Sequence, residues 1–123
     1  MRRDELYLVD MLEAAKAVSA FLADVDERTF AGSDLLQSAV LQKLMVLGEA
    51  AGRVSLEVRD RWPEVPWRSV SGFRNLAVHA YFEIEWSIVW RIATVSLPTL
   101  RNQLTALVKA EFPLVADQLG QEN

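Results

Sequence analysis

Residues 33–59 read SDLLQSAVLQKLMVLGEAAGRVSLEVR, and this stretch decides the fold. Its apolar residues recur every three or four positions and form one stripe with a second row beside it: Leu36, Val40, Leu44, Leu47 and Ala51, then Leu41, Met45 and Gly48. Ser33 or Asp34 is suited to cap the N-terminus of such a helix. Because the apolar surface is too wide for one neighbour, the pattern predicts a helix over 33–59 that packs on two sides.

Similar periodicity on both sides of this stretch predicts further helices. Residues 4–26 form the first, residues 27–33 a connection, residues 67–79 a short third helix, and a fourth begins near 83–85. Pro98 is expected to kink or restart the fourth helix, and the periodicity continues to Phe112. The sequence therefore predicts an all-α, antiparallel bundle of four to five helices, with a core over 4–112 and a tail over 113–123.

Composition restricts the class of protein. The 123 residues include 5 glycines, 4 prolines and no cysteine, which favours one helical domain over 1–123 and excludes disulfides and thiolate metal sites. A formal charge of −4 argues against broad attraction to nucleic acid, so any RNA contact must be local. Acidic residues interrupt the apolar segments, so we expect a cytoplasmic protein with no signal peptide and no membrane partner.

Residues 74–81 concentrate the polar chemistry of the chain. They read RNLAVHAY and contain Arg74, Asn75, Tyr81 and the single histidine, His79. A guanidinium can hold a phosphate through two hydrogen bonds, and an imidazole titrates near neutral pH. Residues five apart are displaced by about 140° around a helix, so sharing one face requires the helix to end or distort near His79. The alternative is that this lone histidine is an ordinary core or surface residue.

The motif Arg74-x4-His79-x-Tyr81 resembles that of HEPN-domain proteins of the HepT toxin type. The segments 46–50 (VLGEA) and 63–67 (PEVPW) occur in that family's order and spacing, and the likeness covers about residues 4–112. The resemblance implies a helical homodimer with two Arg-His motifs in a cleft near its two-fold axis, and metal-independent endoribonuclease activity. It also implies a toxin whose antitoxin is a minimal nucleotidyltransferase that attaches AMP to Tyr81.

The chemistry of RNA agrees with that implication. RNA supplies its own nucleophile, the 2′-hydroxyl, so cleavage needs a base, an acid and stabilisation of the phosphate, with no obligatory metal or other cofactor. With one histidine per chain, an acid and base pair requires a second chain, a leaving-group proton from water, or Tyr81. We hypothesise that His79 from each of two subunits faces one cleft, with Arg74 holding the phosphate and Asn75 orienting it. The alternative function is a non-catalytic helical module that binds a nucleotide or a nucleotidyltransferase through the same cleft.

Two other pairs admit a structural and a functional interpretation. Gly48 can relieve steric crowding in a packed helix, which we favour, or Gly48 and Glu49 together can let another backbone approach and place a carboxylate near the motif. Glu83 and Glu85 are typical of a helix start, although two carboxylates can also bind a metal.

The aromatic residues are also ambiguous. Trp62 and Trp67 flank the prolines and are expected to fasten a loop to the bundle, with base stacking as the alternative. Trp86 and Trp90 share one helical face, which favours a core or dimer contact. Two further arginines are candidate contributors near the cleft: Arg68 and Arg91.

Overall fold

The computed structural model describes residues 3–76 and 83–121, and within these ranges all regular structure is helical. The helices are α1 (Asp4–Phe21), α2 (Glu27–Ala31), α3 (Asp34–Arg53), α4 (Leu56–Arg61), α5 (Trp67–Ser71), α6 (Trp86–Arg91), α7 (Leu97–Glu111) and α8 (Pro113–Gln121). The predicted all-α class is confirmed.

The most extensive contact between two helices is that of α1 with α3, and this pair forms the centre of the bundle. Asp4 at the start of α1 bonds to Ser55 just beyond the end of α3, which shows that the two helices run antiparallel. Helix α7 packs on the other side of α1, and α5 packs on α3. The predicted stripe of α3 is buried between them, with Val40, Leu44 and Leu47 fully inaccessible to solvent.

Helix α3 ends at Arg53, so the predicted extension to residue 59 is wrong. The carboxylate of Asp4 accepts hydrogen bonds from the backbone N–H of Ser55 (2.9 Å) and from its hydroxyl (2.6 Å). The Ser55 hydroxyl in turn caps α4 by accepting from the N–H of Val58. The chain therefore turns at Val54, whose extended backbone has φ −65° and ψ 138°.

Helix α1 also ends earlier than predicted, at Phe21 instead of residue 26. Asp24 has a positive φ of 61°, a conformation that a helix interior does not contain. The side chain of Asp26 then accepts a hydrogen bond from the N–H of Thr29 at 2.8 Å and begins α2. The predicted connection over 27–33 thus contains a helical turn that buries Phe30 completely.

The last part of the bundle contains one wide turn. Residues Ile92–Ser96 form a π-helical segment between α6 and α7, and α7 begins at Leu97 with Pro98 in its first turn. The sequence predicts a kink or restart at Pro98, and the backbone instead stays helical through Ser96 and Leu97, with the π-helical segment just before the proline, which has no N–H to donate to the preceding turn. Helix α8 occupies most of the segment expected to be a tail.

Tryptophan side chains fasten the bundle as the sequence predicts. Trp86 and Trp90 pack against the buried Phe30, with ring centroids 6.1 and 5.4 Å away. In the proline loop, the indole N–H of Trp62 donates to Glu111 at 2.8 Å and that of Trp67 donates to the carbonyl of Trp62 at 2.9 Å. In the described ranges no helix combines the length and apolar character that crossing a membrane requires.

Candidate active site

The start of the motif lies on a single 3-10 turn, Gly72–Asn75, that continues α5. The buried side chains of Trp67 and Val70 anchor α5 to the core, which fixes the turn that follows. Arg74 and Asn75 are both exposed on this turn. The bundle therefore presents their polar side chains to solvent from a firmly packed base.

Gly48 brings this turn unusually close to α3. A Cβ at Gly48 would stand 2.5 Å from the backbone nitrogen of Arg74 and 2.9 Å from the carbonyl oxygen of Val70. Both atoms belong to the backbone and cannot rotate away. The less favoured interpretation of Gly48 therefore describes the structure: another backbone, that of the motif turn, lies directly against α3 where Gly48 has no side chain.

One turn further along α3, Gly52 lies beneath the side chain of Arg74. A Cβ at Gly52 would be 3.5 Å from Nη1 of Arg74, which places the guanidinium over the surface of α3. Among the described residues no Asp or Glu forms an ion pair with Arg74. Its charge is therefore not neutralised by that part of the chain and is placed to receive an anion.

Arg74 borders a groove of about 560 Å³ between α1 and α3, called the motif groove below. Its polar lining comes from α1, α3 and the motif turn: Tyr7, Asp10, Gln42, Glu49, Arg53 and Arg74. Met45, Val46 and Ala50 supply its apolar surface. The groove thus combines two cations, two carboxylates and an apolar wall.

A hydrogen-bonded chain orders one side of the motif groove. Arg53 donates a hydrogen bond from Nε to Oε1 of Glu49 at 3.0 Å, and its Nη2 lies 2.9 Å from the same oxygen in an ion pair. Hydrogen bonding to Glu49, followed by its charge and a hydrogen bond with Tyr7, raises the pKa of Arg53 above its usual value. Glu49 is therefore held in place beside the motif, so the alternative interpretation of this carboxylate also fits the structure.

Two of the predicted site residues, His79 and Tyr81, lie outside the described residues. The structure brings Arg74 and Asn75 together on one turn and places Arg74 at the groove. The roles assigned to Arg74, Asn75, His79 and Tyr81 stay predictions.

The remaining predicted candidates lie elsewhere. Glu85 directly precedes α6, but its side chain makes no capping hydrogen bond, and Glu83 is exposed. Within 3–76 and 83–121 no cluster of acidic or histidine side chains has the composition of a metal site. Arg68 and Arg91 are exposed and do not line the motif groove.

Sequence reasoning missed four polar residues of the groove: Tyr7, Asp10, Gln42 and Arg53. Only the antiparallel packing of α1 on α3 brings the first two to the motif. A signal was present for Arg53, because Glu49 and Arg53 are four residues apart on one helix face.

Comparison of the sequence with known proteins identifies the family of this chain. A family model described as "Ribonuclease HepT-like" matches residues 11–107. The chain belongs to the HepT-like ribonuclease family. A Methanocaldococcus jannaschii protein named "Putative RNase MJ1380" is 32% identical to this HepT-like chain over 104 residues, covering 84% of the chain and 95% of the relative.

A second relative of this HepT-like chain is a Thermococcus cleftensis protein named "Probable ribonuclease HepT". It is 28% identical over 103 residues, covering 84% of this chain and 94% of that protein. No solved structure matches the chain significantly. The sequence resemblance to the HepT type is therefore confirmed.

Proposed function

We propose that this HepT-like protein is an endoribonuclease that cleaves cellular RNA without a metal ion. Arg74 binds the phosphate under attack, Asn75 orients it, and His79 transfers protons. The observation that carries the proposal is the placement of Arg74, whose backbone lies against Gly48 and whose guanidinium has no ion-pair partner among the described residues. Membership of the HepT-like ribonuclease family supports it.

The proposed reaction uses the 2′-hydroxyl of the substrate as nucleophile. A base removes the 2′-hydroxyl proton, the 2′-oxygen forms a bond to phosphorus, and the bond from phosphorus to the 5′-oxygen breaks. An acid protonates the departing 5′-oxygen, so the products are a 2′,3′-cyclic phosphate and a 5′-hydroxyl. The guanidinium of Arg74 contributes by stabilising the negative charge that accumulates on the phosphate oxygens in the transition state.

Each chain has a single histidine, which favours an active site shared between two chains. One imidazole cannot act as base and acid at the same moment, whereas two copies of His79 in a homodimer can divide these roles. We therefore infer that the functional unit is a homodimer in which Arg74 and His79 of both protomers face one cleft.

Tyr81 lies two residues after His79 in the sequence and is the residue through which we propose that the activity is controlled. We propose that the protein is the toxin of a toxin–antitoxin pair and that a minimal nucleotidyltransferase antitoxin transfers AMP to the hydroxyl of Tyr81. The added phosphate would carry negative charge to the motif and compete with RNA phosphate for Arg74. Loss of RNA binding is the expected consequence.

Cleavage of total RNA in excess EDTA tests the activity. We expect the unmodified wild type to cleave and both His79→Ala and Arg74→Ala to lose activity while keeping their helical circular dichroism. Intact mass measured on the same samples reports whether AMP is already attached. If unmodified wild type fails to cleave with or without added Mg²⁺, the ribonuclease proposal is wrong and the protein acts by binding.

Mixing chains tests the shared site. Hybrid dimers of one wild-type and one His79→Ala chain, isolated through a different affinity tag on each chain, are expected to keep far less than half of the wild-type activity, because a cleft with one imidazole lacks either the base or the acid. Hybrid dimers that keep about half of the wild-type activity would contradict a site shared between two chains.

A further inference from the structure

The placement of charged side chains in the motif groove matches one class of ligand. Arg74 supplies positive charge at one border, Arg53 supplies a second cation that is ion-paired with Glu49, and Asp10 and Glu49 supply carboxylates elsewhere in the lining. A phosphate is attracted most strongly by Arg74, which has no ion-pair partner among the described residues, and is repelled by the carboxylates. A ligand that fills the groove therefore has an anion near Arg74 and hydrogen-bond donors near the carboxylates.

A nucleotide has both features in one molecule. The volume of about 560 Å³ is within the range of small-molecule sites. Met45, Val46 and Ala50 offer apolar surface against which the face of a base can pack. Single-stranded RNA is commonly recognised in this way, through splayed bases whose hydrogen-bonding edges contact polar side chains.

Glu49 is a carboxylate of the groove that an ion pair orients. Arg53 donates one hydrogen bond to Oε1 of Glu49 and lies in an ion pair with the same oxygen, and Arg53 itself interacts with Tyr7 on α1. A carboxylate has about four acceptor sites, and the contacts with Arg53 are all made to one of its two oxygens. Glu49 therefore keeps acceptor capacity at a fixed position in the groove wall.

The four bases present different edges to a fixed carboxylate. Guanine has two adjacent donors, N1–H and N2–H, which one carboxylate can accept together. Cytosine and adenine offer one amino group beside an acceptor nitrogen, and uracil places its single N3–H between two carbonyl oxygens. Guanine therefore gains two hydrogen bonds, while uracil brings its oxygens towards negative charge.

We propose that the motif groove is a base-recognition subsite in which Glu49, held by Arg53, selects guanine in the nucleotide whose phosphate binds Arg74. The inference rests on the proposed function, since it takes the ligand of Arg74 to be RNA phosphate. It assigns a specificity role to Glu49, which is a binding residue and not part of the proton transfer.

Binding of 3′-mononucleotides tests the subsite without cleavage. Titration calorimetry with the full chain is expected to show guanosine 3′-monophosphate binding at least about tenfold more tightly than uridine 3′-monophosphate, the scale of one bidentate base contact. Inosine 3′-monophosphate, which lacks the N2 amino group, is expected to fall between them.

Glu49→Gln is the deciding variant, with Glu57→Gln on the exposed face of α4 as the matched control. The glutamine amide presents a donor where the carboxylate presented an acceptor, so the preference for guanine is expected to disappear. The control is expected to keep it. Both substituted positions are exposed, and helical circular dichroism verifies that each variant is folded.

The outcomes separate the subsite from the proposed function. Equal affinity of the wild type for guanosine and uridine nucleotides, no binding of either, or an unchanged preference in Glu49→Gln overturns the guanine subsite. Cleavage in EDTA, scored on the same preparations with RNAs that contain one guanosine or one inosine, reports on the ribonuclease proposal separately. Guanine preference without cleavage would support the subsite and reject the ribonuclease.

Discussion

Gly48→Ala is the substitution whose effect the structure specifies most closely. The new methyl carbon would lie 2.5 Å from the backbone nitrogen of Arg74, 2.9 Å from the carbonyl oxygen of Val70 and 3.1 Å from the carbonyl carbon of Phe73. All three neighbours are backbone atoms of α5 or the motif turn. The variant can therefore form only if the turn that carries Arg74 moves away from α3.

Two opposing terms set the magnitude. Alanine in a helix interior is favoured over glycine by about 1 kcal/mol. Inserting a methyl group into a closely packed site costs about 1–3 kcal/mol, and three backbone contacts place this site at the upper end. The unfolding free energy of Gly48→Ala is therefore expected to fall by about 1–2 kcal/mol.

Gly52→Ala is the matched control, because the same change occurs one turn along the same helix. Its methyl carbon would be 3.5 Å from Nη1 of Arg74 and 3.8 Å from Cβ of Ser71, which are ordinary contacts with side chains. Urea unfolding followed by circular dichroism is expected to show unchanged or slightly raised stability for this variant. RNA cleavage is expected to fall in Gly48→Ala, since Arg74 is displaced.

The reasoning would be refuted if Gly48→Ala were as stable as Gly52→Ala and cleaved RNA at the wild-type rate. Such a result would mean that the motif turn does not lie directly against α3. A variant with lowered stability but full activity would leave the close approach intact and contradict the claim that it positions Arg74.

Three further predictions concern single interactions. Asp4→Ala should lower the unfolding free energy by about 1–3 kcal/mol in urea denaturation, and adding Ser55→Ala should cost less than the sum of the single changes, because the two side chains bond to each other. The pKa of Glu111 is lowered from 4.5 to about 2, chiefly by hydrogen bonds from Arg61. Its contribution to the free energy of unfolding is therefore complete above pH 4.5 and is lost as the pH falls through 2. Glu111→Gln should lower the free energy of unfolding by about 1–2 kcal/mol at pH 7, measured by urea denaturation, and this difference from the wild type should vanish near pH 2. Arg74→Ala should change thermal stability by less than about 0.5 kcal/mol, because its side chain is exposed and has no ion-pair partner among the described residues.

Local periodicity was sufficient to predict the bundle but not the ends of its helices. The apolar stripe of α3 predicts its buried face correctly, because side chains three and four apart share one side of a helix. The end at Arg53 depends on the bond between Asp4 and Ser55, which are 51 residues apart. No pattern within α3 contains that information.

In the candidate site too, the sequence predicted what depends on neighbouring residues and missed what depends on contacts between distant segments. The motif identifies Arg74 from a contiguous stretch, and Gly48 in a packed helix admits a close approach on α3 without saying which segment approaches. Tyr7 could not be assigned to the site, because a tyrosine in a first helix has many partners until α1 is placed antiparallel to α3.

Product analysis of a defined RNA tests the central claim most directly. A labelled RNA incubated in EDTA with unmodified wild type should yield 2′,3′-cyclic phosphate and 5′-hydroxyl ends, and Arg74→Ala should yield neither at a comparable rate. Products ending in a 3′-hydroxyl and a 5′-phosphate would contradict attack by the 2′-hydroxyl. Equal cleavage by Arg74→Ala would contradict the role assigned to the arginine that Gly48 allows to lie against α3.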